Sequence, residues 1–344
     1  MKKSIKIGIY VTFTLVLAIV LASPVVAADT SCKTKYPIIL AHGMGFTPSP
    51  QYPNSFPGIV EALQACGATV YTPIVEGIGG TAEKAGQFVN GFSEVSPYDG
   101  SSWTSGGFKG IQAMYPAGTK FNIIGHSHGG LYTRYAITNL GIAPYVASLT
   151  TVDSPHRGSY IDQIELDIVK AIPALGSLIA GAIPFTGDPA KLAANDTDLS
   201  VDYMTKVFNP NTPNVKGIYY QSFSCAFRQY NIIKAELDGI TEVINAVEGK
   251  TTPVPTSALA FAELLYNALP DLAAECFYLG GGLGDGLVQV SSAQWGTYLG
   301  TQMGPWYSQG LNHLDAVNIA PYGAKWDAVG YWVQLVKNLK AKGY

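Results

Sequence analysis

Gly125-His126-Ser127-His128-Gly129 carries the sharpest chemical signal in the chain. It matches G-x-S-x-G, in which a serine sits on a tight turn between a buried strand and a helix. The apolar run Phe121-Asn-Ile-Ile124 precedes the motif, and a helical stretch from Gly129 to Leu140 follows it. In that setting Ser127 reads as a nucleophile rather than an ordinary turn serine. Side chains at the flanking glycines would crowd the turn, and Gly130 lets the helix pack close. The helix start aims unsatisfied N–H groups and a positive dipole end at the serine.

A serine nucleophile needs a base. The chain has five histidines. His126 and His128 flank Ser127 on the turn, where their side chains should point away from its hydroxyl. His42 ends the first strand, and His156 follows the strand after the nucleophile helix. The chain order serine, acid, histidine leaves His313, in Asn312-His-Leu-Asp315. The favoured acid is Asp285, on the glycine turn Gly284-Asp-Gly286; Asp153 is the competitor. The acid would hold the correct imidazole tautomer and stabilise the imidazolium. Two N–H donors would complete an oxyanion hole: His128, directly after the nucleophile, and Met44, in the loop His42-Gly-Met-Gly45.

These residues need a scaffold. Tyr36–Ala41 reads as a buried strand. A helix capped by Asn54 or Ser55 runs to about Ala65, and Ala68–Val75 is the next strand. Thr81–Phe92 reads as a helix, residues 93–107 as loop, and Val146–Val152 as a strand. The pattern lapses for some sixty residues. Val215–Ser224 resumes it as a strand, and residues 226–270 look helical with a break at Thr251–Pro255. Leu287–Val290 is strand-like, and the last helix puts Val329, Trp332, Val333, Val336 and Leu339 on one face. The alternation predicts an α/β fold, a mostly parallel central sheet flanked by helices.

With 344 residues, 47% of them hydrophobic and only 13% charged, the chain is not disordered. A formal net charge of −3 gives no electrostatic reason to expect nucleic acid. Residues 1–27 read as a secretory signal peptide. Lys2, Lys3 and Lys6 precede the uncharged run Ile7–Ala22, and Val25-Val-Ala27 offers small residues for cleavage. The rival reading is an uncleaved membrane anchor, for which the run is short. Residues 28–344 then form a single domain. Four cysteines in an exported chain favour disulfides. Sequence locality favours Cys32–Cys66 and Cys225–Cys276; free buried thiols are the alternative.

Tyr36–Met44, Asn122–Gly130, Asp153-Ser-Pro-His-Arg-Gly158, Gly284–Val288 and Asn312–Asn318 together resemble the secreted bacterial triacylglycerol lipases of family I, the Pseudomonas and Burkholderia type. The resemblance implies an α/β-hydrolase fold, a Ser127–Asp285–His313 triad, and lipid esters at an oil–water interface as substrate. A short-chain carboxylesterase or polyester depolymerase would use the same triad. A non-catalytic binding protein on this fold is the rival from another class. The resemblance also implies a structural Ca2+, and some members of that family need a dedicated folding chaperone as a partner. Asp315 matches one calcium carboxylate, and the Ile319 and Gly323 carbonyls match two main-chain ligands. The second carboxylate matches Asp271, with Asp238 as the alternative. The family's disulfide uses a cysteine after the acid, where this chain has Ser291. A helical lid or cap is expected at about 160–200. Ile161, Ile164, Ile168, Ile172 and Leu175 share one helical face, and Leu178 lies in the apolar stretch after Pro173. A buried helical hairpin would show the same pattern.

Overall fold

A computed structural model of the protein describes residues 28–44, 55–95, 102–163, 189–228, 258–278, 281–320 and 323–344. The signal segment 1–27, the lid positions Ile164, Ile168, Ile172, Leu175 and Leu178, and the alternative calcium ligand Asp238 lie outside the described residues.

The first apolar run forms β1 (Ile38–Ala41). After it come α1 (Ile59–Ala65), β2 (Val70–Tyr71), α2 (Thr81–Asn90), β3 (Phe92–Val95), β4 (Ser102–Ser105) and α3 (Gly107–Gln112). The central part holds β5 (Phe121–His126), α4 (His128–Asn139), β6 (Val146–Val152), α5 (Pro189–Leu199) and β7 (Tyr219–Cys225). The chain closes with α6 (Ala258–Tyr278), α7 (Val290–Ala293), β8 (Thr297–Gln302) and α8 (Ala328–Ala341). Among the described residues six strands make one sheet in the order β2-β1-β5-β6-β7-β8, and every pairing in it is parallel.

A parallel strand covered on both faces reads as a near-continuous apolar run. β1 shows how the alternation divides. Ile38 and Leu40 join a core with Ile59 and Leu63 of α1 and Trp332, Leu335 and Val336 of α8. Ile39 and Ala41 join the opposite core, with Ala85 and Phe88 of α2, Phe108 of α3 and Tyr132 and Ala136 of α4. Helices therefore cover both faces, as the alternation predicts. Asp327 caps α8 by accepting from Gly330 N–H at 2.7 Å.

Three local expectations need correction. Residues 93–107 are not all loop, because β3 and β4 pair as an antiparallel hairpin outside the main sheet. Its positions lie in neither main core, so no apolar run announces it. Leu287–Val290 is not a strand: the Leu287 and Val288 N–H groups donate to Asp285 Oδ1 and are lost to a ladder. The strand in this region is β8, a half-exposed edge strand of mixed polarity. β7 begins at Tyr219 rather than Val215, whose N–H donates to the Tyr220 hydroxyl.

Cys32 and Cys66 form the predicted disulfide. The predicted Cys225–Cys276 bridge is absent, and both residues are buried thiols. Locality misleads here. Cys225 ends β7, where its N–H donates to Asp153 Oδ1, whereas Cys276 lies near the end of α6, its carbonyl accepting from Gly281 N–H.

Candidate active site

The Ser127 turn is strained as the G-x-S-x-G motif requires. Ser127 has φ 53° and ψ −129°, a left-handed backbone that non-glycine residues rarely adopt. Its N–H donates to Val152 O on β6 at 2.8 Å, which ties the turn to the sheet. A Cβ on Gly125 would stand 2.6 Å from the backbone of Gly129 and Gly130, so only glycine lets the chain reverse here. A Cβ on Gly43 would stand 2.7 Å from Ser127 Cβ, so the loop after β1 can approach the serine only as glycine.

His313 lies against this turn. Its carbonyl is 3.2 Å from His126 Nε2, which donates to it, and the two rings are 4.6 Å apart. His313 Nδ1 is 2.7 Å from Asp285 Oδ2. The His313 backbone N–H also donates to Asp285 O at 3.0 Å. Asp285 Oδ1 accepts from Leu287 N–H at 3.0 Å and Val288 N–H at 2.7 Å, so the carboxylate cannot swing away. Burial alone would lower the His313 pKa, but the charge and hydrogen bond of Asp285 raise it above 6.5. Geometry therefore pairs His313 with Asp285, not with the competitor Asp153. Asp153 is buried behind them at φ 46°, and its Oδ2 meets no nitrogen or oxygen donor among the described residues. Burial and then the charge of Asp285 push its carboxyl well above the usual range.

The other histidines are committed elsewhere. His42 Nδ1–H donates to Gly43 O at 2.9 Å while its Nε2 accepts from Val75 N–H at 3.1 Å. Burial, helped by the charge of Lys84, lowers its pKa to about 4. His156 accepts from Arg134 at 3.0 Å and donates to Thr151 Oγ1 at 2.8 Å. His126 is engaged with the His313 carbonyl. His128 heads α4, where its N–H has no helical acceptor. Met44 follows Gly43, with its sulfur accepting from Asn195 Nδ2 of α5 at 3.0 Å.

Asp315, the first calcium carboxylate that the resemblance implies, is held by protein donors. Asp315 Oδ1 accepts from the Tyr266 hydroxyl at 2.7 Å, and Oδ2 accepts from Asn312 N–H at 2.9 Å. Both oxygens thus serve protein donors, and the Lys325 ammonium lies 4.8 Å over the Tyr266 ring. Burial raises the Asp315 pKa against the opposing pull of these donors. Asp271 lies further along α6 and is half-buried, while Ile319 and Gly323 follow Asp315 in its loop. No group of three or more His, Cys, Asp and Glu side chains is placed to hold a metal among the described residues.

Residue patterns missed Lys84 and Thr81, which contact the His128 ring from α2. A signal existed: Thr81, Lys84, Ala85, Phe88 and Val89 form the buried stripe of α2 at helical spacing. A lysine inside such a stripe is unusual.

No family model matches the chain. It is 36% identical over 165 residues to a triacylglycerol lipase of Burkholderia plantarii, covering 47% of this chain and 41% of that protein. A second relative, triacylglycerol lipase 2 of Saccharomyces cerevisiae, is 25% identical over 308 residues, 83% of this chain and 73% of that one. The chain thus spans under half the length of the Burkholderia relative it matches. The crystal structure of Staphylococcus hyicus lipase superposes with a TM-score of 0.53 at 14% identity, covering 90% of this chain and 97% of that one. The chain has the α/β-hydrolase fold and is related in sequence to proteins named triacylglycerol lipase.

Proposed function

We propose that this chain is a secreted serine ester hydrolase of the triacylglycerol lipase type, acting on lipid acyl esters. The observation that carries the reading is the His313–Asp285 pair at 2.7 Å, set against the strained turn of Ser127. In this reading Ser127 attacks the ester carbonyl, and His313 takes its proton. The carbonyl oxygen becomes an oxyanion that accepts from the Met44 and His128 N–H groups. His313 then returns the proton to the departing alcohol, and water hydrolyses the acyl-enzyme by the same route. Asp285 keeps Nδ1 protonated throughout, which leaves Nε2 as the basic nitrogen.

Lipid esters are the proposed substrate because relatives in sequence carry the name triacylglycerol lipase. Export rests on the pattern of residues 1–27; among the described residues no helix is long and apolar enough to cross a membrane. One sheet gathers strands from Ile38 to Gln302, which supports a single domain over residues 28–344. No step passes through a metal.

The test is hydrolysis of an emulsified long-chain triglyceride beside a soluble short-chain ester, with Ser127→Ala as control. Turnover of the emulsion is expected, with a loss of at least about 10⁴-fold in the variant. Turnover of the soluble ester alone would make the chain a carboxylesterase. No turnover of either ester by folded protein would remove the enzyme reading.

A further inference from the structure

Lys84 is completely buried, which is rare for a lysine, and its position is the buried face of α2. Its ammonium donates to Gly77 O at 2.9 Å and lies 3.4 Å from His128 Nδ1. An ammonium has only protons to offer, so Nδ1 must accept. The ring proton then sits on Nε2 and is donated to Thr81 Oγ1 at 2.8 Å. Two side chains one helical turn apart thus grip the imidazole at both nitrogens. His128 is the residue directly after Ser127 and the first of α4.

We propose that Lys84 is a positioning residue for the oxyanion site. With Thr81 it fixes the His128 ring, and through it the N–H at the head of α4. Its charge stands one imidazole behind the place where negative charge builds on the substrate oxygen. The proposal rests on the reading of Ser127 as nucleophile and His128 N–H as oxyanion donor. The ring itself stays neutral, because burial and the nearby Lys84 both disfavour a second proton. The positive charge behind the hole therefore belongs to Lys84. Charge on the carbonyl oxygen develops only on the way to the tetrahedral state, so Lys84 should act on kcat and leave ground-state binding nearly untouched.

A purely structural lysine makes a different prediction. Replacing it would lower thermal stability and leave the turnover of the folded molecules alone. Lys84→Met and Thr81→Val separate the two, assayed on a soluble ester for kcat and KM. Each is also titrated with an alkyl boronic acid, which adds to the serine as a tetrahedral anion, and with an alcohol of the same chain length, which forms no adduct. For Lys84→Met, kcat should fall about 10- to 100-fold with KM within about threefold, as expected for one unit charge lost at short range in a partly shielded site. Boronate affinity should fall in parallel while alcohol affinity holds. Thr81→Val should show the same split with a smaller loss, about three- to tenfold. Folded Lys84→Met with kcat within about threefold of wild type would overturn the proposal, as would equal weakening of boronate and alcohol. If Lys84→Met does not fold, Thr81→Val decides: unchanged kcat and boronate affinity overturn the proposal. Wild-type protein without ester turnover, or Ser127→Ala as active as wild type, would instead remove the underlying reading of Ser127, and with it the proposal.

Discussion

Asp285 decides what His313 can do. Its carboxylate is fixed by two backbone N–H donors and holds Nδ1 at 2.7 Å, so the imidazole has one orientation and one tautomer. The same pairing lifts the His313 pKa above 6.5, although burial acts the other way. A raised pKa keeps the imidazole protonated to higher pH, and a protonated imidazole cannot act as base. The kcat/KM profile should therefore fall as pH drops, with an acid limb centred above 6.5. In Asp285→Asn the charge is gone, so the limb should move to lower pH while kcat drops by about 10⁴. An unchanged profile in that variant would mean another group supplies the carboxylate. At this scale the Ser127 turn and the Asp285–His313 contact were legible, the first from a local motif and the second from chain order. Lys84 and the engagement of His126 were not, since both depend on which α2 and loop residues the fold brings behind the turn.

The His313 loop shows how an element keeps a residue in place. Asn312 Oδ1 accepts from the Leu314 and Asp315 N–H groups, and Asp315 Oδ2 accepts from Asn312 N–H in return. Trp326 and Trp332 donate to the Asp315 and Ala316 carbonyls, and Tyr266 closes the set from α6. Protein donors thus brace the loop at the position where the family resemblance implies calcium. A chelator should leave the thermal midpoint and ester turnover unchanged. Tyr266→Phe should destabilise the protein by about 1–3 kcal/mol, because a buried carboxylate loses a donor. Urea unfolding with and without chelator checks both. A midpoint that falls on chelation and recovers with added calcium would contradict this bracing by protein donors. The residue pattern foresaw most elements because continuous apolar runs and helical stripes report burial. It missed the β3–β4 hairpin and edge strand β8, whose half-exposed positions give no such report. It misread Leu287–Val290, a run whose leading N–H groups serve the Asp285 carboxylate instead of a ladder.

Across the whole molecule, the site collects residues just past the carboxyl ends of successive strands. The loop of His42 to Met44 succeeds β1, Ser127 succeeds β5, Asp153 succeeds β6, and His313 lies beyond β8. Parallel strand order places these points side by side, as open α/β sheets do for their ligand sites. The Cys32–Cys66 bridge ties the start of the described chain to the end of α1, away from these points in the sequence. Replacing both cysteines by serine should cost about 3–4 kcal/mol through the freed unfolded chain, with little change in kcat. Cys225 and Cys276 should stay inaccessible to alkylation until the protein unfolds, since both are buried. All of the proposed chemistry turns on Ser127 as the acylated nucleophile. Treatment with an alkyl fluorophosphonate and peptide mass analysis would locate that nucleophile without assuming a substrate. One adduct is expected, on Ser127, formed quickly in wild type and absent in Ser127→Ala. An adduct on another residue, or none on folded protein, would refute the assignment of Ser127.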